Sequence, residues 1–287
     1  MNKEILKRKY TEIESKIKPI VDFLETNKNS KEFKGIYKGI ITLQSPIIYK
    51  PEIFFLGVNP GDGAYKILNI GKSETIRTPL RMIGKDETSL KELNWYESGN
   101  ARCKKANNKW VKGYEWYQRD KMVNNAFPQR MIDLLYEIAN LKYPDKANKY
   151  DNNSLPFWYE TFGQKIMYSN LYPIATTNIG DLYKILNTIA VKDEFKWRSD
   201  NKKPNNWDVR RFFIRLTDEL IDLVQPKTIV CIGKSAYDDF VLKKDTDKKK
   251  IFSGQKNKIP VIGFSRRGNW SGLLKEIAQE IISTKTQ

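Results

Sequence analysis

The chain contains no histidine. That absence removes the Ser-His-Asp and Cys-His nucleophile schemes, imidazole acid–base chemistry and every histidine metal ligand. Cysteine is nearly as scarce. Cys103 and Cys231 are the only two, too few for a four-cysteine zinc or iron–sulfur site. They provide no disulfide framework, so a reducing, cytoplasmic setting is expected. Cys231 lies in an apolar run over 228–233 and reads as a buried core thiol. No apolar run approaches the length needed to cross a bilayer, and no membrane partner is expected. The N-terminus is charged and lacks the apolar stretch of a signal peptide.

Positive charge is abundant. Lysine and arginine total 51 against 34 acidic residues, a net charge of +17, and the isoelectric point is about 9.6. Such an excess points to a polyanionic partner, most often nucleic acid; scattered surface lysines that serve solubility are the alternative. Seven Trp and fifteen Tyr accompany the charge, a pairing suited to handling phosphates and bases together. The 287 residues fit one large α/β domain with insertions or two modest domains, and suffice for a sizeable core.

Apolar periodicity organises the chain. Leu6, Tyr10, Ile13, Ile17, Ile20 and Leu24 predict an amphipathic helix over about 3–26, kinked or broken at Pro19. Four short apolar runs predict buried strands at 53–57, 165–170, 228–232 and 259–263. Helices are predicted over 128–141, 207–224, 235–242 and about 271–282. Between about 66 and 127 the pattern is polar, aromatic and basic, and reads as a long insertion. Strand and helix in alternation imply an α/β fold with a central four-stranded parallel sheet and helices on both faces. The loops after the strands would then gather at one end.

The most informative stretch is Ile53-Phe54-Phe55-Leu56-Gly57-Val58-Asn59-Pro60-Gly61-Asp62-Gly63. An apolar strand stops at a glycine, and an Asn-Pro-Gly turn presents an amide and a carboxylate. Open α/β sheets place ligands at the carboxyl ends of their strands. The same residue types also make ordinary turns.

Four strand ends, taken in order, resemble the uracil-DNA glycosylase superfamily. The Gly57-Val58-Asn59-Pro60-Gly61 turn resembles the first motif of its mismatch-specific, thymine-DNA-glycosylase-like branch. That motif runs Gly-Ile-Asn-Pro-Gly, with Ala-Tyr-Lys a short way on; this chain has Ala64-Tyr65-Lys66. Ser169-Asn170-Leu171-Tyr172-Pro173 is similar to the second strand end, where an asparagine reads the flipped base. The run from Pro226 through Thr228 and Cys231 to Gly233 resembles the third-strand signature, which is structural. Ser265-Arg266-Arg267-Gly268-Asn269 stands where the family carries its DNA-intercalating loop. The likeness covers roughly 50–285, and the chain departs from it in two places. Gly263-Phe264-Ser265 replaces the His-Pro-Ser or Asn-Pro-Ser that opens the family's last loop, and the insertion at 66–127 is much longer than in small members.

The resemblance implies one uracil-DNA glycosylase-like three-layer domain over 1–287, acting on DNA as a monomer without metal or organic cofactor. The activity implied is extrusion of a modified or damaged base and hydrolysis of its glycosidic bond. The base stays open between uracil, a mismatched thymine, a deaminated purine and the glucosylated hydroxymethylcytosine of phage DNA, a substrate of a phage-defence branch. Asn59 would orient the attacking water, and Asp62 would act as a stronger base or cap the following turn. Tyr65 would stack on the base or pack in the core. Asn170 would read a pyrimidine edge or satisfy its own turn. Gly57 and Ser265 would border the base. Arg266, Arg267, Asn269 and Trp270 would wedge into the stack or hold phosphates. Lys202 and Lys203, with Trp197 and Trp207 nearby, form a second DNA-contact candidate.

Overall fold

In a computed structural model of the chain, the described residues are 1–60 (apart from 41, 44 and 46), 126–147, 165–195, 197, 205–242, 250–265 and 270–284, with the backbone of four short strands between 68 and 111. The N-terminal part comprises α1 (Lys3–Ser15), α2 (Lys18–Asn27), β1 (Gly39–Ile40) and β2 (Ile53–Gly57). The short strands β3 (Leu68–Asn69), β4 (Thr75–Ile76), β5 (Lys104–Ala106) and β6 (Lys109–Val111) form two antiparallel pairs. Then come α3 (Ala126–Lys142), α4 (Pro144–Ala147), β7 (Ile166–Asn170), β8 (Ile174–Ala175), α5 (Ile179–Ala190) and α6 (Asn206–Val224). The chain closes with β9 (Ile229–Ile232), α7 (Lys234–Val241), β10 (Ile251–Lys256), β11 (Ile259–Phe264) and α8 (Leu274–Ser283).

The main sheet has five strands in the order β10-β11-β9-β2-β7. The four predicted strands are present and mutually parallel. The expected four-stranded sheet is corrected by β10, which pairs antiparallel with β11 at one edge. A tight turn at Asn257 and Lys258 joins them, both at positive φ (51° and 66°), the geometry that matches strand twist in a two-residue hairpin. Phe252 is the one fully buried side chain of β10, so this edge strand carries almost none of the apolar signal that marks the other four.

Burial on both faces explains the unbroken apolar runs. Phe54 and Leu56 point into a cluster with residues of α1, α2, α5, α6 and α7. Ile53 and Phe55 point the other way, among residues of α3 and α8. Helices therefore cover both faces, and each strand must be apolar at every position. The connection from β2 to β7 carries α3 on one face. Those from β7 to β9 and from β9 to β11 run the opposite way across the sheet and carry α5, α6 and α7 on the other. A uniform crossover hand requires that reversal.

The expected N-terminal helix is two helices. α1 ends at Ser15 and α2 starts at Lys18. Pro19 sits in the first turn of α2, where a missing N–H costs nothing. The helix α5 was not anticipated from the sequence, although Asn178 caps it and Leu182, Ile185, Leu186 and Ile189 are buried along one stripe.

Gly263 on β11 tests the packing between sheet and α7. A Cβ there would lie 2.6 Å from atoms of Tyr237, including that residue's own Cβ, so rotation of the ring would not relieve the clash. Gly263→Ala should lower unfolding free energy by about 1–3 kcal/mol, read by denaturant titration. Wild-type stability would contradict this packing.

Candidate functional site

The order of strands creates a switch point. From β2 the chain moves to β7 on one side, whereas from β9 it moves to β11 on the other. Connections diverging from adjacent parallel strands leave a crevice at their carboxyl ends. The turn 57–60 follows β2, and Gly233, at φ 113°, follows β9 and opens α7. Asn59 and Pro60 thus lie at the position where the topology itself leaves room for a ligand.

Backbone bonds fasten this turn to the segment after β7. Leu171 N–H donates to Gly57 O (2.8 Å), Tyr172 N–H to Val58 O (2.8 Å) and Thr176 N–H to Pro60 O (3.2 Å). Asn59, half-buried, is held more closely still. Its Nδ2 donates to Thr176 Oγ1 at 2.9 Å, Pro60 O at 3.1 Å and Ile174 O at 3.3 Å. Two of these partners are backbone carbonyls, which only accept, so the side-chain atom facing them must be the NH2 group. The amide is thereby oriented, and its Oδ1 accepts no hydrogen bond among the described residues.

Asn170 stands beside Gly57. The two are register partners on β7 and β2, and Asn170 is only 4 % exposed. A Cβ on Gly57 would lie 2.3 Å from Asn170 Oδ1 and 3.3 Å from the Tyr168 hydroxyl. Glycine is thus the residue that lets the Asn170 amide lie across β2. The geometry brings Gly57, Asn59 and Asn170 together at one sheet end. Ser265 follows β11 at the same end of the sheet, its N–H donating to Lys250 O (2.8 Å), but β9 separates β11 from β2. Asp62, Tyr65, Lys202, Lys203, Arg266, Arg267 and Asn269 lie outside the described residues, as does most of the 66–127 insertion. Trp270 begins a 3-10 turn, Trp270–Leu273, ahead of α8.

Two further residues hold the site's wall and carry no sequence motif. The Tyr172 hydroxyl donates to Asp239 Oδ2 (2.7 Å) and accepts from Arg210 Nε (3.1 Å), while Arg210 also pairs with Asp239 Oδ1. This triangle ties the β7–β8 loop to α6 and α7. Burial, then the Asp239 charge, pushes the Tyr172 phenol well above its ordinary pKa, so it stays a neutral donor. The Arg210 guanidinium lies 4.6 Å from the Trp207 ring centre and that of Arg211 5.5 Å from it. Trp197, which with Trp207 lies near the DNA-contact candidates Lys202 and Lys203 in sequence, packs against Phe195 and Phe212 and donates from Nε1 to Ile189 O (3.1 Å). Cys231 is fully buried, and desolvation pushes its thiol far above the normal range, as expected of a core thiol.

Among the described residues no group of three or more Asp, Glu, Cys or His side chains could hold a metal ion. Nor is any described helix long and apolar enough to cross a membrane. No protein-family model matches the chain, and no curated protein matches it.

The Gly57–Asn170 contact is testable by a double-mutant cycle. Gly57→Ala should cost about 1–3 kcal/mol of stability. In an Asn170→Ala background the same change should cost at least about 1 kcal/mol less, because the clashing amide is gone. Additive costs would show that the two residues do not collide.

Proposed function

We propose that this protein is a monofunctional DNA glycosylase, and that the oriented amide of Asn59 carries its chemistry. The carrying observation is that the fold sets three acceptors against Asn59 Nδ2, while the carbonyl oxygen accepts no hydrogen bond among the described residues. Hydrolysis of an N-glycosidic bond passes through a sugar cation as the bond electrons leave with the base. Water then adds to the anomeric carbon and gives up a proton. An amide is a poor Brønsted base, but a fixed carbonyl oxygen can hold that water by accepting its hydrogen bond. Positioning and electrostatics suffice once the bond is largely broken.

Several observations support the reading. The turn resembles the first motif of the uracil-DNA glycosylase superfamily by sequence, and its residues 57–60 lie at the switch point of the sheet. Four parallel strands with helices on both faces suit that superfamily's three-layer domain, with β10 as an added edge strand. Asn170, one strand over, offers a donor and an acceptor for a base edge. Asp62 and Tyr65 continue the same loop in sequence, as a second candidate base and a stacking ring. The net charge of +17 suits a duplex or single-stranded DNA partner. Lys202, Lys203, Arg266, Arg267, Asn269 and Trp270 are the proposed DNA contacts. The substrate is proposed to be a modified or damaged base, either a hypermodified cytosine of phage DNA, which would make the enzyme an antiviral one, or uracil or a mismatched base in repair.

The test is abasic-site formation, revealed by alkaline strand cleavage, on uracil-containing DNA, unmodified DNA and phage DNA carrying glucosylated hydroxymethylcytosine. Wild type should generate breaks on one modified substrate. Asn59→Ala should lower that rate by about a hundredfold or more, the scale of losing one oriented polar group at a reacting centre, with DNA affinity within about twofold. DNA binding without breaks on any substrate would instead assign a non-catalytic DNA-binding module on this fold. An active Asn59→Ala enzyme would remove Asn59 from the mechanism.

A further inference from the structure

We infer that Thr176 is a positioning residue for Asn59, and that the start of α5 is the anchor from which the amide takes its orientation; the inference rests on the glycosylase reading for its consequence, though not for its geometry. Thr176 is 1 % exposed. Its hydroxyl donates to Asn178 O at 2.7 Å and accepts from Asn59 Nδ2 at 2.9 Å. With its one proton committed to Asn178, the hydroxyl can offer Asn59 only a lone pair. An Asn59 amide turned by half a rotation would set its oxygen against that lone pair and against the carbonyls of Pro60 and Ile174. Thr176 therefore does more than fill space: it makes the shortest of the three contacts and reinforces the polarity that the two carbonyls set.

The far end of the chain of bonds is rigid. Asn178 O also accepts Leu182 N–H at 3.3 Å, the first bond of α5. Asn178 Oδ1 accepts Asp181 N–H at 2.9 Å, its Nδ2 donates to Asp181 Oδ2 at 2.8 Å, and Lys184 Nζ pairs with Asp181 Oδ1 at 3.0 Å. Leu182, Ile185, Leu186 and Ile189 seat α5 in the core. The orientation of Asn59 is thus referred to a packed helix through one hydroxyl, the arrangement by which a supporting residue locks a site. Nothing in the Asn-Pro-Gly motif names Thr176, which lies 117 residues away in the chain.

Two variants and two readouts test this. Thr176→Val keeps the shape and removes the hydroxyl; Thr176→Ser keeps the hydroxyl. On the substrate that wild type cleaves, Thr176→Val should lower kcat about tenfold, the worth of one hydrogen bond, with KM within about twofold and melting cooperative. Thr176→Ser should recover to within about threefold of wild type. Independently of activity, the side-chain amide protons of Asn59, assigned by their loss in Asn59→Ala, should exchange with solvent at least about fivefold faster in Thr176→Val than in wild type or Thr176→Ser. A Thr176→Val enzyme with wild-type kcat, or a Thr176→Ser enzyme as slow as the valine variant, would overturn the inference while leaving the glycosylase reading standing. Should wild type cleave no substrate, that reading fails alone, and the exchange rates still decide: unchanged protection in Thr176→Val overturns the positioning role.

Discussion

The hydrogen bonds that capture the nitrogen of Asn59 are the constraint on which the candidate site depends. A side-chain amide is a weak functional group whose two ends are nearly the same shape, so its use depends on which end is free. Here two backbone carbonyls and one hydroxyl whose proton is already spent all face Nδ2. The end that accepts no hydrogen bond among the described residues is therefore the oxygen. Reversing that orientation would set oxygen against oxygen three times in a half-buried site, where unpaired polar atoms are costly.

The rest of the fold keeps those partners in place. Parallel strands buried on both faces fix the register that sets Gly57 beside Asn170. Glycine at that point lets the two amides share one sheet end. The segment 171–176 then runs back along the turn 57–60, delivering Thr176 to Asn59. Behind it, the Tyr172–Arg210–Asp239 triangle holds the β7–β8 loop against α6 and α7. A charged pair this well enclosed adds little net stability, but removing either partner leaves a costly charge behind. The group ties the loop to two helices at once.

Much of this was legible in the sequence, and the losses have physical causes. The four parallel strands announce themselves because burial on both faces makes them continuously apolar, and the turn after Ile53–Gly57 stands out against them. β10 escaped because an edge strand buries little, and Ser253, Gln255 and Lys256 read as loop. α5 was missed although its stripe and Asn178 cap were available. The two asparagines stand out in the sequence because Asn170 ends an apolar strand and Asn59 lies just beyond one. Thr176, Arg210 and Asp239 do not, because a partner far away in sequence leaves no local pattern. Trp197 shows the same limit: its packing against Phe195 and Phe212 leaves no mark in the local sequence.

This sheet end is proposed to stabilise a cationic sugar, whichever base has left it. Duplex DNA carrying a positively charged pyrrolidine in place of one nucleotide mimics that cation without requiring the base to be known, and a neutral tetrahydrofuran at the same position is the control. Transition-state mimics bind more tightly than ground-state ones when a site is built for the reaction. Affinities of wild type for the two duplexes, measured at one salt concentration, should differ by at least about tenfold in favour of the pyrrolidine, and the preference should shrink in Asn59→Ala. Equal affinity for the two would contradict the account, leaving a protein that binds DNA without recognising the sugar cation.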